Sequence, residues 1–184
     1  MCSQNVQRRE RPHRPVCVIN AQRRVRLDAP AIWALAALTL DARAPSPTAG
    51  VNLMFVRDPA IRRYNREFFG KDTPTDVISF PAGAADGAGR PCAAVGDVVI
   101  SIDQALAYGS RHAIAPAEEL ARYVVHGILH CLGYDDISAG CKRIMFRHQE
   151  ALVAAWKRTG RLLLAGPNRR GAPGARRRSK GRAT

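Results

Sequence analysis

Paired cysteines are missing from this chain. Its five (Cys2, Cys17, Cys92, Cys131 and Cys141) are scattered, odd in number and without CxxC spacing. That argues against a paired-thiolate motif or a disulfide framework, and a reducing cytoplasm is the expected setting. A long hydrophobic run is missing too. The longest, Ala31 to Leu40, is ten residues and contains Trp33 and Thr39, whereas a bilayer span takes about twenty. It reads as a core helix, and no membrane partner is expected. The basic N-terminus leads into no apolar stretch of the signal-peptide kind. Acidic residues are scarce at both ends. Residues 157–184 hold ten Lys or Arg and no acid, and residues 1–27 hold seven Arg and only Glu10.

The net charge of +14 therefore sits in the ends, since residues 28–156 carry twelve basic and fourteen acidic side chains. Basic ends on a near-neutral domain fit two descriptions: nucleic-acid binding through release of phosphate counterions, or simple solubilisation. With 46% hydrophobic residues, a chain of 184 suffices for one domain with a real core. Residues 1–15, Arg-rich with Pro12 and Pro15, read as a basic disordered segment. Residues 16–160 read as the domain and 161–184 as a basic disordered tail.

Along the domain, Val16 to Asn20 is a short apolar run that reads as a first strand. Asp28 is placed to cap a helix with Pro30 in its first turn. Val51 to Val56 alternates, with Val51, Leu53 and Phe55 on one face. Asp58-Pro59 opens a helix to about Phe68, by the rule that a capping residue precedes proline. Thr75 to Phe80 and Val95 to Ser101 are further strands, separated by a Gly/Ala-rich excursion at 82–94. Helices follow at Asp103–His112, from Pro116, and at about Ser138–Arg158. Helices separate the first strands, while a loop joins the last two and permits an antiparallel pair. The expected fold is α+β: a small mixed sheet of about four strands packed with about five helices.

The densest chemistry is His126-Gly127-Ile128-Leu129-His130-Cys131-Leu132-Gly133-Tyr134-Asp135-Asp136. Histidines four apart share a helix face and can bind one ion. Gly133 can end the helix in a left-handed turn that carries Asp135 or Asp136 back as a third ligand. Three protein ligands and an open position describe a catalytic site, whereas structural zinc is enclosed by four. The HExxH motif of zinc proteases is close in spacing, but Gly127 stands where its Glu general base belongs, which removes the main support for peptide hydrolysis. Cys131 points about 100° away from His130 and reads as core. His112 and His148 read as structural.

At these residues the chain resembles the YbeY family of bacterial rRNA-maturation endoribonucleases. That family's helix carries HGxLHLxGYDH, here HGILHCLGYDD. Its loop and strand GKDxPTDVLSFP appears at residues 70–81 as GKDTPTDVISFP, and its GD-then-apolar strand as Gly96 to Ser101. The likeness covers roughly residues 50–156, in the same order. It implies an α+β metalloprotein holding one zinc-like ion through three residues. It also implies single-strand-selective RNA cleavage in rRNA maturation (16S rRNA 3′ end) and ribosome quality control, with rRNA and ribosomal particles as partners. His126 and His130 match the first two ligands. The family's third ligand is His, and here Asp136 stands there; a carboxylate in that place lowers the site's positive charge by one. The family's Arg before the GKD segment is replaced by Phe69.

The expected catalytic residues are therefore His126 and His130, Asp135 to orient a ligand or act as base, and Arg66 or Lys71 as the missing cation. The expected metal ligands are His126, His130 and Asp136, and the ion Zn2+ or another divalent metal. Thr75, Asp76 and Ser79 are expected to shape the pocket. Two other classes compete. One is a ribosome-associated RNA-binding factor whose metal is structural; the other, weakened by Gly127, is a divergent metalloprotease or deamidase.

Overall fold

The structure, a computed structural model, describes residues 14–83 and 94–167. Most of the 82–94 excursion and the bulk of both basic ends lie outside the described residues.

Strands β1 (Val16–Asn20), β3 (Gly50–Val56), β5 (Ala94–Ser101) and β4 (Val77–Pro81) form one mixed sheet in that spatial order. β1 and β5 both run parallel to β3, and β4 is antiparallel to β5, as the loop connection allowed. Alternation decides the two faces. Val51, Leu53, Phe55, Val98 and Ile100 are fully or almost fully buried under helices α1 (Ala29–Arg43) and α4 (Pro116–Cys131). On the opposite face Val56, Ile78 and Val99 meet Ile61 of α2 (Asp58–Phe69), a smaller cluster. Helices α3 (Ile102–His112) and α5 (Ala139–Lys157) pack on α4. So α4 is bounded by the sheet and three helices, and its Leu120, Val124, Ile128 and Leu129 are inaccessible to solvent.

The helix starts follow local chemistry. Asp28 Oδ1 accepts from Ala31 N–H at 2.9 Å, the expected cap. Ser101 and Ser138 cap α3 and α5 in the same way. At α2 the cap differs: Arg57 holds the N-cap position and Asp58 lies inside the helix. The Asp58 carboxylate instead accepts from Ser101 Oγ at 2.6 Å and Gln104 Nε2 at 2.8 Å. A tertiary pairing has taken the side chain that local preference assigns to capping.

The domain extends past both expected boundaries. Arg14, placed in the disordered segment 1–15, is buried. Its guanidinium donates to Asp41 Oδ1 at 2.8 Å and to the Ser46 carbonyl at 2.6 Å. At the other end Leu163 is fully buried, and β6 (Leu164–Pro167) pairs antiparallel with β2 (Val25–Leu27) in a two-stranded ribbon. The tail therefore cannot begin at 161. The ribbon strands have three and four residues, too short for a period-2 signal to register.

Asp103 ties three segments together. It accepts from Arg24 Nη1 at 2.7 Å, Arg57 Nε at 3.1 Å and the Asp58 N–H at 3.1 Å, with only 10% of its side chain exposed. Burial opposes its ionisation, but these donors outweigh burial and hold its pKa below the ordinary carboxylate value. A depressed pKa contributes stability above the unfolded value of about 3.9, lost as pH falls through the folded value. Replacing Asp103 by Ala is expected to cost about 1.5–3 kcal/mol at pH 7. Denaturant titrations should show the gap between the two proteins closing as pH drops below about 4; a gap constant with pH would refute the ionic role.

Candidate metal centre

Helix α4 carries Glu118 and Glu119 in its first turn, where carboxylates meet the positive end of the helix dipole. Its C-terminal end turns at Leu132 and Gly133, the latter at φ +87°. The Tyr134 N–H reaches back to the Leu129 carbonyl at 3.0 Å and the Gly133 N–H to the His130 carbonyl at 3.0 Å. This is the left-handed stop expected of Gly133. The reversal returns the chain over the last turn, and Asp136 Oδ1 comes to 4.0 Å from His130 Nε2. The donor atoms of His126, His130 and Asp136 all lie within 4.8 Å of one another, the one such group of His, Cys, Asp or Glu among the described residues.

The imidazoles are oriented from behind. His126 Nδ1 lies 3.0 Å from Gln149 Oε1, and His130 Nδ1 lies 3.0 Å from the Tyr134 carbonyl. The Gln149 amide is itself fixed, because its Nε2 donates to Glu150 Oε1 at 3.0 Å. Both Nδ1 atoms thus face acceptors and carry the protons. In the neutral rings this leaves the Nε2 atoms as lone pairs, and these two atoms are 3.0 Å apart. Two acceptors at that separation repel unless a cation lies between them. Bonds of about 2.0–2.1 Å at tetrahedral angles place two nitrogens about 3.3 Å apart, so the donor set fits a divalent ion. Burial, and then the neighbouring His130, lower the His126 pKa and favour the neutral ligand form, while Gln149, Asp76 and Asp136 act in the opposite sense.

Behind Gln149 stands Arg122, which donates to Glu118, Glu119 and Glu150 at 2.6, 3.2 and 3.1 Å. Burial disfavours the guanidinium charge, but Glu150 and Glu118 more than offset it and raise the pKa. The arrangement links α4 to α5 and, through Glu150 and Gln149, to the His126 ring.

Gly127 has a steric reason. A Cβ there would lie 2.3 Å from Val98 Cγ1 and 3.1 Å from Val77 Cγ2. Ser79 Oγ donates to the Gly127 carbonyl at 3.1 Å across the same contact. The position that holds the base of HExxH proteases is here pressed against the sheet, and a larger residue there forces α4 or the Val98 side chain to shift.

Two open clefts share His126 and Asp76. One, of about 510 Å³, is lined by His126 and Asp136 with Asp76, Tyr108, Lys142 and Phe146. The other, of about 340 Å³, is lined by His126 and His130 with Phe69, Lys71, Asp76 and Ser79. Thr75, which also lines the second cleft, donates from Oγ1 to Asp76 Oδ1 at 2.9 Å. Thr75, Asp76 and Ser79 therefore stand where they were expected, and Lys71 is on the cleft wall.

Other expected residues are placed elsewhere. Asp135 is exposed and accepts from the Ile137 N–H at 3.0 Å, outside the three-residue group. Arg66 lies 3.6 Å from Asp72, which Arg62 also grips at 2.7 Å. Both arginines line a separate depression with Arg63. Cys131 is buried, with its thiol pushed up to about 12 by desolvation. His148 packs edge-on against Tyr134. Gln149 escaped sequence reading, although a signal existed: it is the polar member of the buried stripe Met145, Gln149, Leu152, Val153, Trp156 on α5.

A mixed sheet crossed by a helix that presents two imidazoles and a returning carboxylate to open clefts defines an α+β domain with a candidate metal centre. The chain belongs to the YbeY family: the family model described as Endoribonuclease YbeY matches residues 18–157. A protein named Endoribonuclease YbeY from Anaeromyxobacter sp. (strain Fw109-5) is 41% identical over 118 residues, covering 64% of this chain and 60% of that protein. One of the same name from Pelotomaculum thermopropionicum is 36% identical over 144 residues, covering 76% of this chain and 95% of that protein. The chain thus spans 60% of the Anaeromyxobacter relative's length and nearly all of the Pelotomaculum one. A solution structure from Thermotoga maritima shares the fold with a TM-score of 0.54 at 22% identity, covering 88% of this chain and 99% of that one.

Bound divalent metal, read by elemental analysis of purified variants, should fall sharply in His130→Ala and partially in Asp136→Ala. Gln149→Leu should weaken metal affinity by about 10–100-fold. Full metal content in Asp136→Ala would remove that residue from the ligand set. Gly127→Ala is expected to destabilise the fold by about 1–3 kcal/mol in denaturant titration; an unchanged midpoint would show that the helix can retreat from Val98.

Proposed function

We propose that this chain is a single-strand-selective, metal-dependent endoribonuclease acting in rRNA maturation, at the 16S rRNA 3′ end, and in ribosome quality control in the cytoplasm. The observation that carries the reading is the convergence of His126, His130 and Asp136 beside two open clefts that share His126. Clefts on two sides of His126 suit cutting within a strand, because they leave room for RNA on both sides of it. A metal serving structure alone is typically enclosed by four ligands. The named relatives supply the reaction class. Among the described residues no helix is long and apolar enough to cross a membrane.

When bound, a divalent ion at these ligands supplies Lewis acidity toward a phosphate oxygen and lowers the pKa of water. The donor set of two nitrogens and one oxygen suits Zn2+, and Asp136 in place of a third imidazole opens it to harder ions. Lys71 faces the anionic strand and offsets charge that develops on the phosphate. Asp76 is the carboxylate that lines both clefts among the described residues. It, rather than the outlying Asp135, is positioned to take up a proton near His126. Gln149 and the Tyr134 carbonyl keep both Nδ1 protons in place and so hold the ligand tautomers. The basic ends hold RNA or ribosomal particles without reading sequence.

The purified chain should cut a single-stranded RNA and spare the matching duplex. His126→Ala should lose at least about 100-fold in rate. Equal cleavage by the variant would trace the activity to a contaminant and favour an RNA-binding factor with a structural metal.

A further inference from the structure

The side chain that departs from the family pattern stands on the wall of the metal cleft. Phe69 is the last residue of α2 and leaves 53% of its surface exposed. The backbone after it is held firmly. Gly70 takes φ +70° and returns its N–H to the Arg66 carbonyl, the Lys71 N–H reaches the Asn65 carbonyl, and Asn65 Nδ2 donates to the Thr73 carbonyl at 2.8 Å. Phe69 leans on Phe80, with centroids 6.4 Å apart and planes 34° from parallel. Phe80 is in turn met edge-on by Phe68 at 4.9 Å. The ring thus has an aromatic neighbour on one side, and it lines the same cleft as His126, His130 and Lys71.

A lone exposed phenylalanine calls for no explanation. An exposed aromatic ring and a lysine that line one cleft with paired imidazoles have the composition of a nucleotide subsite. The ammonium suits a phosphate and the ring suits a base. Bases stack on aromatic side chains without regard to sequence, since each has a π-face to offer. In a duplex those faces are already covered by neighbouring base pairs, so a stacking wall admits unpaired strands and rejects paired ones.

We propose that Phe69 is a stacking platform for an unpaired nucleobase of the RNA in the metal cleft, and that this contact contributes to strand selectivity. The inference rests on the reading of RNA as the polymer bound there, but it does not require that the RNA be cut. It also gives the Arg-to-Phe departure a role: Lys71 serves as the cation on this wall, and position 69 binds a base instead of a phosphate.

The test uses the full chain and a labelled single-stranded RNA at fixed salt, comparing wild type, Phe69→Leu and Phe69→Trp. Leu keeps the apolar bulk and removes the flat face. The expected result is roughly tenfold weaker binding and a similarly raised KM in Phe69→Leu, with kcat changed less than about twofold. Phe69→Trp should bind as well as wild type, with its emission quenched by RNA. The Leu penalty should vanish on a strand of the same length whose central nucleotides lack bases. Equal affinity of wild type and Phe69→Leu for the intact strand would overturn the proposal, whether or not cleavage persists. An equal penalty on the base-free strand would also overturn it, as would loss of protein self-association with RNA affinity intact, which assigns the ring to a protein partner. Tight binding that depends on Phe69 in a wild type that does not cut would uphold the platform while the nuclease reading falls.

Discussion

Two imidazole Nε2 atoms 3.0 Å apart form an unfavourable arrangement when both are neutral lone pairs, and contacts from two other parts of the fold hold the rings in it. Each ring would rather turn to share a proton. Neither can, because its Nδ1–H is engaged by Gln149 or by the Tyr134 carbonyl. The carbonyl exists at that place because Gly133 adopts a left-handed turn, and Gln149 because α5 lies against α4. A cation relieves the repulsion without any group moving far. Preorganisation of this sort puts the cost of orienting the ligands into folding, so the ion meets a site already shaped for it.

The sheet supports the same end by a different route. α4 approaches it so closely at Val98 that position 127 has no room for a Cβ. The close approach aims the helix so that one face presents His126 and His130 to the clefts, while Ile128 and Leu129 on other faces remain buried. Glycine in a helix interior is ordinarily a modest liability. Here it sets the depth of the helix and, with that, the distance between the imidazoles and the strand β4 that floors the cleft.

Much of this was legible in the residues because the signals were local. The i, i+4 histidines, the Gly133 stop, the Asp28 cap and the Val51-Leu53-Phe55 alternation each involve residues close in sequence. Distinguishing Asp136 from Asp135 was not local. It depends on how the chain leaves the turn, and only the resemblance separated the two. The ribbon of Val25–Leu27 with Leu164–Pro167 joins segments over a hundred residues apart and too short to alternate. Arg66 lies beside Asp72, on the next loop, and lines a different depression from the one at the histidines. Asp58 left its capping role for Ser101 and Gln104. In each case a long-range partner prevailed over a local preference.

The link from Arg122 through Glu150 and Gln149 to His126 makes coordination and helix seating a single cooperative unit. A displacement of α5 relative to α4 is felt at the His126 ring through its bond to Gln149. The outer surface of α5 is therefore mechanically connected to the paired imidazoles.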